Sequence, residues 1–89
     1  MNRFASRRAE EIHQTGLVSG VPPHVARRAC RIMDLLVSAH DIQDVRLIGD
    51  IWRWPKLSRR LGLQIEEKWF ITFEWEPDFG AKEIEIERR

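Results

Sequence analysis

The chain has 89 residues, a net charge of +1 and a single cysteine, Cys30. That length supports one domain, residues 1–89, with a modest core and excludes two. One cysteine excludes an internal disulfide framework, and no apolar run approaches the roughly 18 residues needed to cross a bilayer. With no charged-then-apolar leader ahead of the first polar helix, a cytoplasmic protein is expected. Four Trp and four Phe supply much of the apolar burial, at about 25 cal/mol per Å² removed from water, and leave little room for an internal ligand cavity.

The small net charge conceals a split. Up to Arg60, 11 Lys and Arg oppose 6 Asp and Glu, while from Leu61 onward 4 oppose 8. Such a dipolar surface suits a polyanion on one side and a basic partner on the other. Charged faces also simply keep a small domain in solution.

In chain order, FASRRAEEIHQTG (Phe4 to Gly16) carries Phe4, Ala5, Ala9 and Ile12 at helical spacing, with Gly16 placed to stop a short amphipathic helix. In GVPPHVARRACRIMDLLVSAHD the prolines suit a first helical turn, where their missing N–H would be unpaired anyway. Val25, Ala29, Ile32, Met33, Leu36 and Val37 then make an apolar stripe, with Arg27, Arg28, Arg31 and Asp34 mainly opposite. This longest helix is predicted to end between Ser38 and His40.

From Ile48 the period changes. GDIWRWPKL reads as a strand with Ile51 and Arg53 on one side and Trp52 and Trp54 on the other, at an edge or near its end because of Pro55. Leu61, Leu63 and Ile65 alternate, Glu66 to Lys68 turn, and Trp69, Ile71, Phe73 and Trp75 alternate again, which is a hairpin. EPDFG is a turn, and AKEIEIERR a last strand with Ile84 and Ile86 inward and Glu83, Glu85 and Glu87 outward. The predicted class is α+β: two N-terminal helices packed on the core face of a small antiparallel sheet. Phe70, Thr72 and Glu74 should point to the far face, where a sheet of this kind meets water, and an outward Phe70 marks a candidate protein-contact surface.

Most catalytic constellations are missing from the pattern. His13, His24 and His40 have no Cys or acidic neighbour at zinc spacing, so no metal is expected. Cys30 in RRACR is either a thiol activated by its arginines or, beside the apolar stripe, a buried inert one. LIGD and LSRRLG lack the glycine pattern of a P-loop. The dense candidate is RWPKLSRR, in which Arg53, Lys56, Arg59 and Arg60 are cations with no acid between them. Guanidinium forks and local positive potential are what phosphate binding requires. Trp54 adds a ring on which an unpaired base can stack. Arg88 and Arg89 form a second cationic pair, expected to flank the same phosphate if the sheet order brings them beside the loop.

LLVSAHDIQDVRLIGDIWRWPKLSRRLG leading into KWFITFEW and a short last strand resembles the HigB branch of the RelE/ParE toxin superfamily, the proteic killer proteins of toxin–antitoxin modules. That family carries L-x-x-L-x-x-A-x-x-x-x-D-L, then H-P-L-K-G, N-W-R-I-T-F and a C-terminal D-Y-H. Leu36, Ala39 or His40, and Asp44 with Val45 fit the first element; Pro55 with Lys56 and Leu57 fits the second; Trp69, Ile71, Thr72 and Phe73 fit the third. The likeness covers nearly the whole chain, and its strongest part is a core strand. Trp54 stands at the motif's His, Leu57 at its Lys with Lys56 one place earlier, Phe70 at the Arg of W-R-I-T-F, and Arg88 and Arg89 at the D-Y.

The resemblance implies a RelE-like fold, two helices on a curved antiparallel sheet of three to four strands. It implies a metal-independent, cofactor-free endoribonuclease that cuts messenger RNA on the ribosome, inhibits translation and is neutralised by a helix-turn-helix, HigA-like antitoxin. Operator DNA would be reached only through that antitoxin. On this reading Lys56 is the candidate general base or acid, Arg59 and Arg60 clamp the transition state, and Arg53, Trp54, Arg88 and Arg89 bind RNA. ParE-like relatives poison DNA gyrase without cutting RNA; a non-catalytic protein of that kind, using Phe70, is the alternative, as is a decayed toxin that keeps only antitoxin binding.

Overall fold

Ser6, not Phe4, begins the first helix. Its side chain accepts the Ala9 N–H at 3.1 Å, capping α1 (Arg7–Thr15), and Gly16, at φ 75°, ends it by donating its N–H to Ile12 O at 2.8 Å. Phe4 and Ala5, expected inside this helix, lie ahead of it: Ala5 N–H donates to Ile84 O at 2.8 Å and Ile84 N–H to Arg3 O at 2.9 Å, a parallel bridge onto the last strand. The cap hydroxyl satisfies a first-turn donor only if the residues before it stay extended, which frees them to pair elsewhere.

The computed structural model describes residues 3–53 and 60–89. Trp54, Pro55, Lys56, Leu57 and Arg59 therefore lie outside the described residues. Following α1, α2 (Pro23–Ser38) starts at its prolines and buries Val25, Ala26, Ala29, Met33 and Leu36. A further short helix, α3 (Ile42–Arg46), was not expected. Asp41 and Asp44 form a reciprocal capping box that fixes it, and it buries only Val45. Five residues are too few for an apolar period to register.

Four strands follow: β1 (Ile51–Arg53), β2 (Arg60–Glu66), β3 (Trp69–Glu76) and β4 (Gly80–Arg88), in the order β1-β2-β3-β4, all neighbours antiparallel. The α+β class and the strand count agree with expectation, and β1 stands at an edge. Register aligns Ile51, Leu63, Ile71 and Ile86 in one row across the sheet. Above that row α2 packs on β2 and β4, and α1 on α2 and β4. Ile12, Val25, Met33, Leu36, Ile71, Phe73, Ile84 and Ile86 are fully buried there. Trp69 and Trp75, expected in the core, are half-buried at its margin.

The β3–β4 turn is Pro77–Phe79, as the Pro-Asp signal predicts. Arg3 staples it: Nη1 donates to Phe79 O at 3.0 Å and Ala81 O at 2.9 Å, and the guanidinium lies 4.3 Å from the centre of the Phe79 ring. Gly80 is favoured as glycine because its φ is 93°, and an added Cβ would lie 3.3 Å from Arg3 Nη1, the movable end of that side chain. Gly80→Ala is expected to cost about 1–2 kcal/mol, measured as a lowered urea midpoint at unchanged slope.

Candidate functional site

The far face of the sheet is organised by a break in β4. Thr72 pairs with Glu85 and Glu74 with Lys82, so Glu83 and Ile84 together face Phe73 as a bulge, with Glu83 at φ 52°. The extra residue resets the alternation. It lets Ala81, Ile84 and Ile86 all reach the core, while Lys82 and Glu85 take positions opposite far-face residues of β3.

Arg60 secures that break. From β2 its side chain crosses β3, and Nη2 donates to Glu83 O and to Thr72 Oγ1, each at 2.7 Å. Its Nη1 lies 3.8 Å from Glu74 Oε2. Arg60 is 8% exposed and Thr72 fully buried, although Thr72 was expected to meet water. Because the Thr72 oxygen accepts from Arg60, its one hydroxyl hydrogen is left for Glu87 Oε2, to which it donates. Among the described residues no buried side-chain nitrogen or oxygen lacks a partner, as a charged network in a poorly hydrated place requires.

Beside this network runs an open groove of about 500 Å³ along the outer margin of β4, lined by Ala5, Arg8, Arg60, Glu85, Ile86, Glu87 and Arg88. Side chains close the strand edge there. Arg8 Nη2 donates to Ile86 O at 3.1 Å, and Glu85 Oε1 accepts both Ile86 N–H and Ser6 Oγ–H at 2.9 Å. Three arginines and two glutamates thus line one groove. Its chemistry suits a polyanion held by arginine forks beside a proton-accepting carboxylate.

The sequence candidates are distributed unevenly. Arg60 and Arg88 reach this groove. Arg60 pairs across from Glu74 and Arg88 from Trp69, at opposite ends of β3, so only the length of the Arg60 side chain brings them together. Arg89 is exposed beyond β4, its N–H donating to Lys68 O at 2.8 Å beside the β2–β3 turn, which is the end of the sheet away from the start of β2. Arg53 is the last residue of β1, and Trp54, Lys56 and Arg59 lie outside the described residues. Phe70 is half-buried on the far face, opposite Gln64 and Glu87. Arg8, Thr72 and Glu87 were not singled out from the sequence as site residues. The available signal was the apolar step from Ala81 to Ile84, three residues where a regular strand takes two.

Cys30 is not an activated thiol. Burial, and then the nearby Asp34 carboxylate, push it above its ordinary pKa, and its Sγ donates to His13 O at 3.4 Å. His13 Nε2 is 2.7 Å from Asp34 Oδ1 and His24 Nε2 is 2.9 Å from Glu66 Oε2, so two of the histidines tie helices to their neighbours. Among the described residues no group of three or more His, Cys, Asp or Glu is placed to hold a metal ion, and no helix is long and apolar enough to cross a membrane. Comparison with protein-family models and with curated proteins returned no match.

Arg60→Met should destabilise by about 2–3 kcal/mol, since it strips the buried Thr72 hydroxyl and the Glu83 carbonyl of their donor, whereas Glu83→Gly should stabilise by about 1 kcal/mol by relieving the positive φ; chemical denaturation reads both. Cys30 in the folded protein should react with iodoacetamide at least about tenfold more slowly near pH 8 than in the urea-unfolded chain. The gap should narrow as pH rises through the raised thiol pKa, because the thiolate is the reactive form.

Proposed function

We propose that this chain is a metal-independent endoribonuclease of the HigB/RelE type, cutting messenger RNA on the translating ribosome as the toxin of a toxin–antitoxin module. The observation that carries the reading is the convergence of Arg8, Arg60 and Arg88 on one groove with Glu87. The W-x-I-T-F pattern of Trp69 to Phe73 and the helix, helix, antiparallel sheet order support it further.

In this chemistry the 2′-hydroxyl of one nucleotide attacks its own 3′-phosphate. Charge builds on the phosphate oxygens, where guanidinium groups stabilise it, and a base takes the hydroxyl proton. Arginine is too weakly acidic to serve as that base. Arg8 and Arg88 therefore act as phosphate clamps, and Arg60 adds its charge at the floor of the groove while it holds the bulge. A helix-turn-helix antitoxin neutralises the activity, and the site of action is the cytoplasm, where ribosomes translate.

The test is a cell-free translation reaction with a defined message, mapping new 5′ ends by primer extension. Cuts are expected only when ribosomes translate. An Arg8→Ala/Arg88→Ala double variant with an unchanged circular dichroism spectrum should cut at least tenfold less, in line with roughly 1–3 kcal/mol for charge-assisted contacts. Intact message from protein that still arrests growth would favour a protein target such as gyrase. Phe70, on the same sheet face, is then the first residue to replace.

A further inference from the structure

Resting on the endoribonuclease reading, we infer that Glu87 is the group that accepts the 2′-hydroxyl proton, and that Thr72 is its positioning residue. Two carboxylates line the groove, and they differ in what they already do. Glu85 is committed to structure, since its Oε1 takes both the Ser6 hydroxyl and the Ile86 N–H at 2.9 Å and thereby seals the edge of β4. Glu87 is held through Oε2 by a single neutral donor, the Thr72 hydroxyl. A carboxylate presents about four acceptor directions, so that one bond orients Glu87 and leaves it able to take a proton.

The orientation is directional as well as close. Arg60 Nη2 donates to Thr72 Oγ1 at 2.7 Å, which fixes the Thr72 lone pair toward β2 and the hydroxyl hydrogen toward Glu87. Thr72 is fully buried and Arg60 8% exposed, so water does not compete for this chain of donors. The Thr72–Glu87 bond also runs diagonally, because Thr72 pairs with Glu85 and Glu87 with Phe70. The bond draws Glu87 toward Thr72 and Arg60, and Glu87 lines the same groove as Arg8 and Arg88, the residues suited to hold the phosphate.

In the step assigned to it, the Glu87 carboxylate removes the proton of the 2′-hydroxyl as that oxygen forms a bond to phosphorus. The bond from phosphorus to the 5′-oxygen breaks, its electron pair leaves on that oxygen, and solvent water protonates it. The products are a 2′,3′-cyclic phosphate and a 5′-hydroxyl end. No redox change or co-reactant is involved.

The experiment uses the same ribosome-programmed reaction with full-length wild-type, Glu87→Gln, Glu87→Asp, Thr72→Val and Thr72→Ser proteins, each checked for a native thermal melt. Glu87→Gln keeps an oxygen for Thr72 but has no basic carboxylate, and should cut at least about 100-fold more slowly, the range of a lost general base. Glu87→Asp, which restores the carboxylate one methylene short, should recover part of that loss. Thr72→Val should lose roughly tenfold and Thr72→Ser should recover it. Glu87→Gln cutting at the wild-type rate, or Glu87→Asp losing as much as Glu87→Gln, would overturn the assignment while leaving the nuclease reading intact. A wild-type protein that cuts no message would instead remove that reading, and the assignment with it.

Discussion

The guanidinium of Arg60 does two things that the rest of the sheet relies on. It supplies a donor to the carbonyl of Glu83, at the left-handed residue where β4 breaks its pairing with β3. It also fixes the Thr72 hydroxyl, and through it Glu87. Burying a cation is unfavourable unless its donors are taken up; here they are, by a hydroxyl and a main-chain carbonyl, with the Glu74 carboxylate near. The same side chain therefore sets the phase of the last strand and the direction of a groove carboxylate. A residue of this kind is a poor choice for isolating chemistry by mutation, since its loss disturbs core and groove at once.

Much of the architecture was legible in the sequence because apolar period is a robust signal where elements are long. The alternation of Leu61, Leu63 and Ile65, then of Ile71 and Phe73, located the central hairpin, and the stripe from Val25 to Leu36 located α2. The less legible parts depended on single hydrogen bonds. Ser6 moved the start of α1 by capping it, and the Asp41–Asp44 pair made α3 from five residues. The bulge was hidden by its own regularity, since Glu-Ile-Glu-Ile-Glu alternates perfectly and the phase change lies just before it, between Ala81 and Ile84.

The candidate site was less legible than the fold, for a physical reason. Cations in RWPKLSRR look equivalent in sequence, yet Arg60 is enclosed by β3 and β4. Arg8 belongs to a short amphipathic helix, and the bridge between Phe4 and Ile84, with the Ser6–Glu85 bond, carries that helix to the margin of β4. Charge density along a chain reveals the capacity to bind an anion. Which charges converge is decided by strand register and side-chain reach, and neither can be counted from composition.

The stapling of Arg3, Phe4, Ala5, Ser6 and Arg8 onto the last hairpin has a consequence for biosynthesis. The bonds from Arg3 to Ala81 and from Ser6 to Glu85 join residues 78 and 79 positions apart, so this earlier-made segment waits for β4 before it can dock. Until then α1 has no sheet beneath it and the outer margin of β3 is open. Closing so long a loop makes folding slower than local helix formation. The arginine groove, which needs Arg8 from α1 and Arg88 from β4, comes into being only when β4 has emerged, and a chain interrupted before that point carries Arg8 and Arg60 without the surface that gathers them.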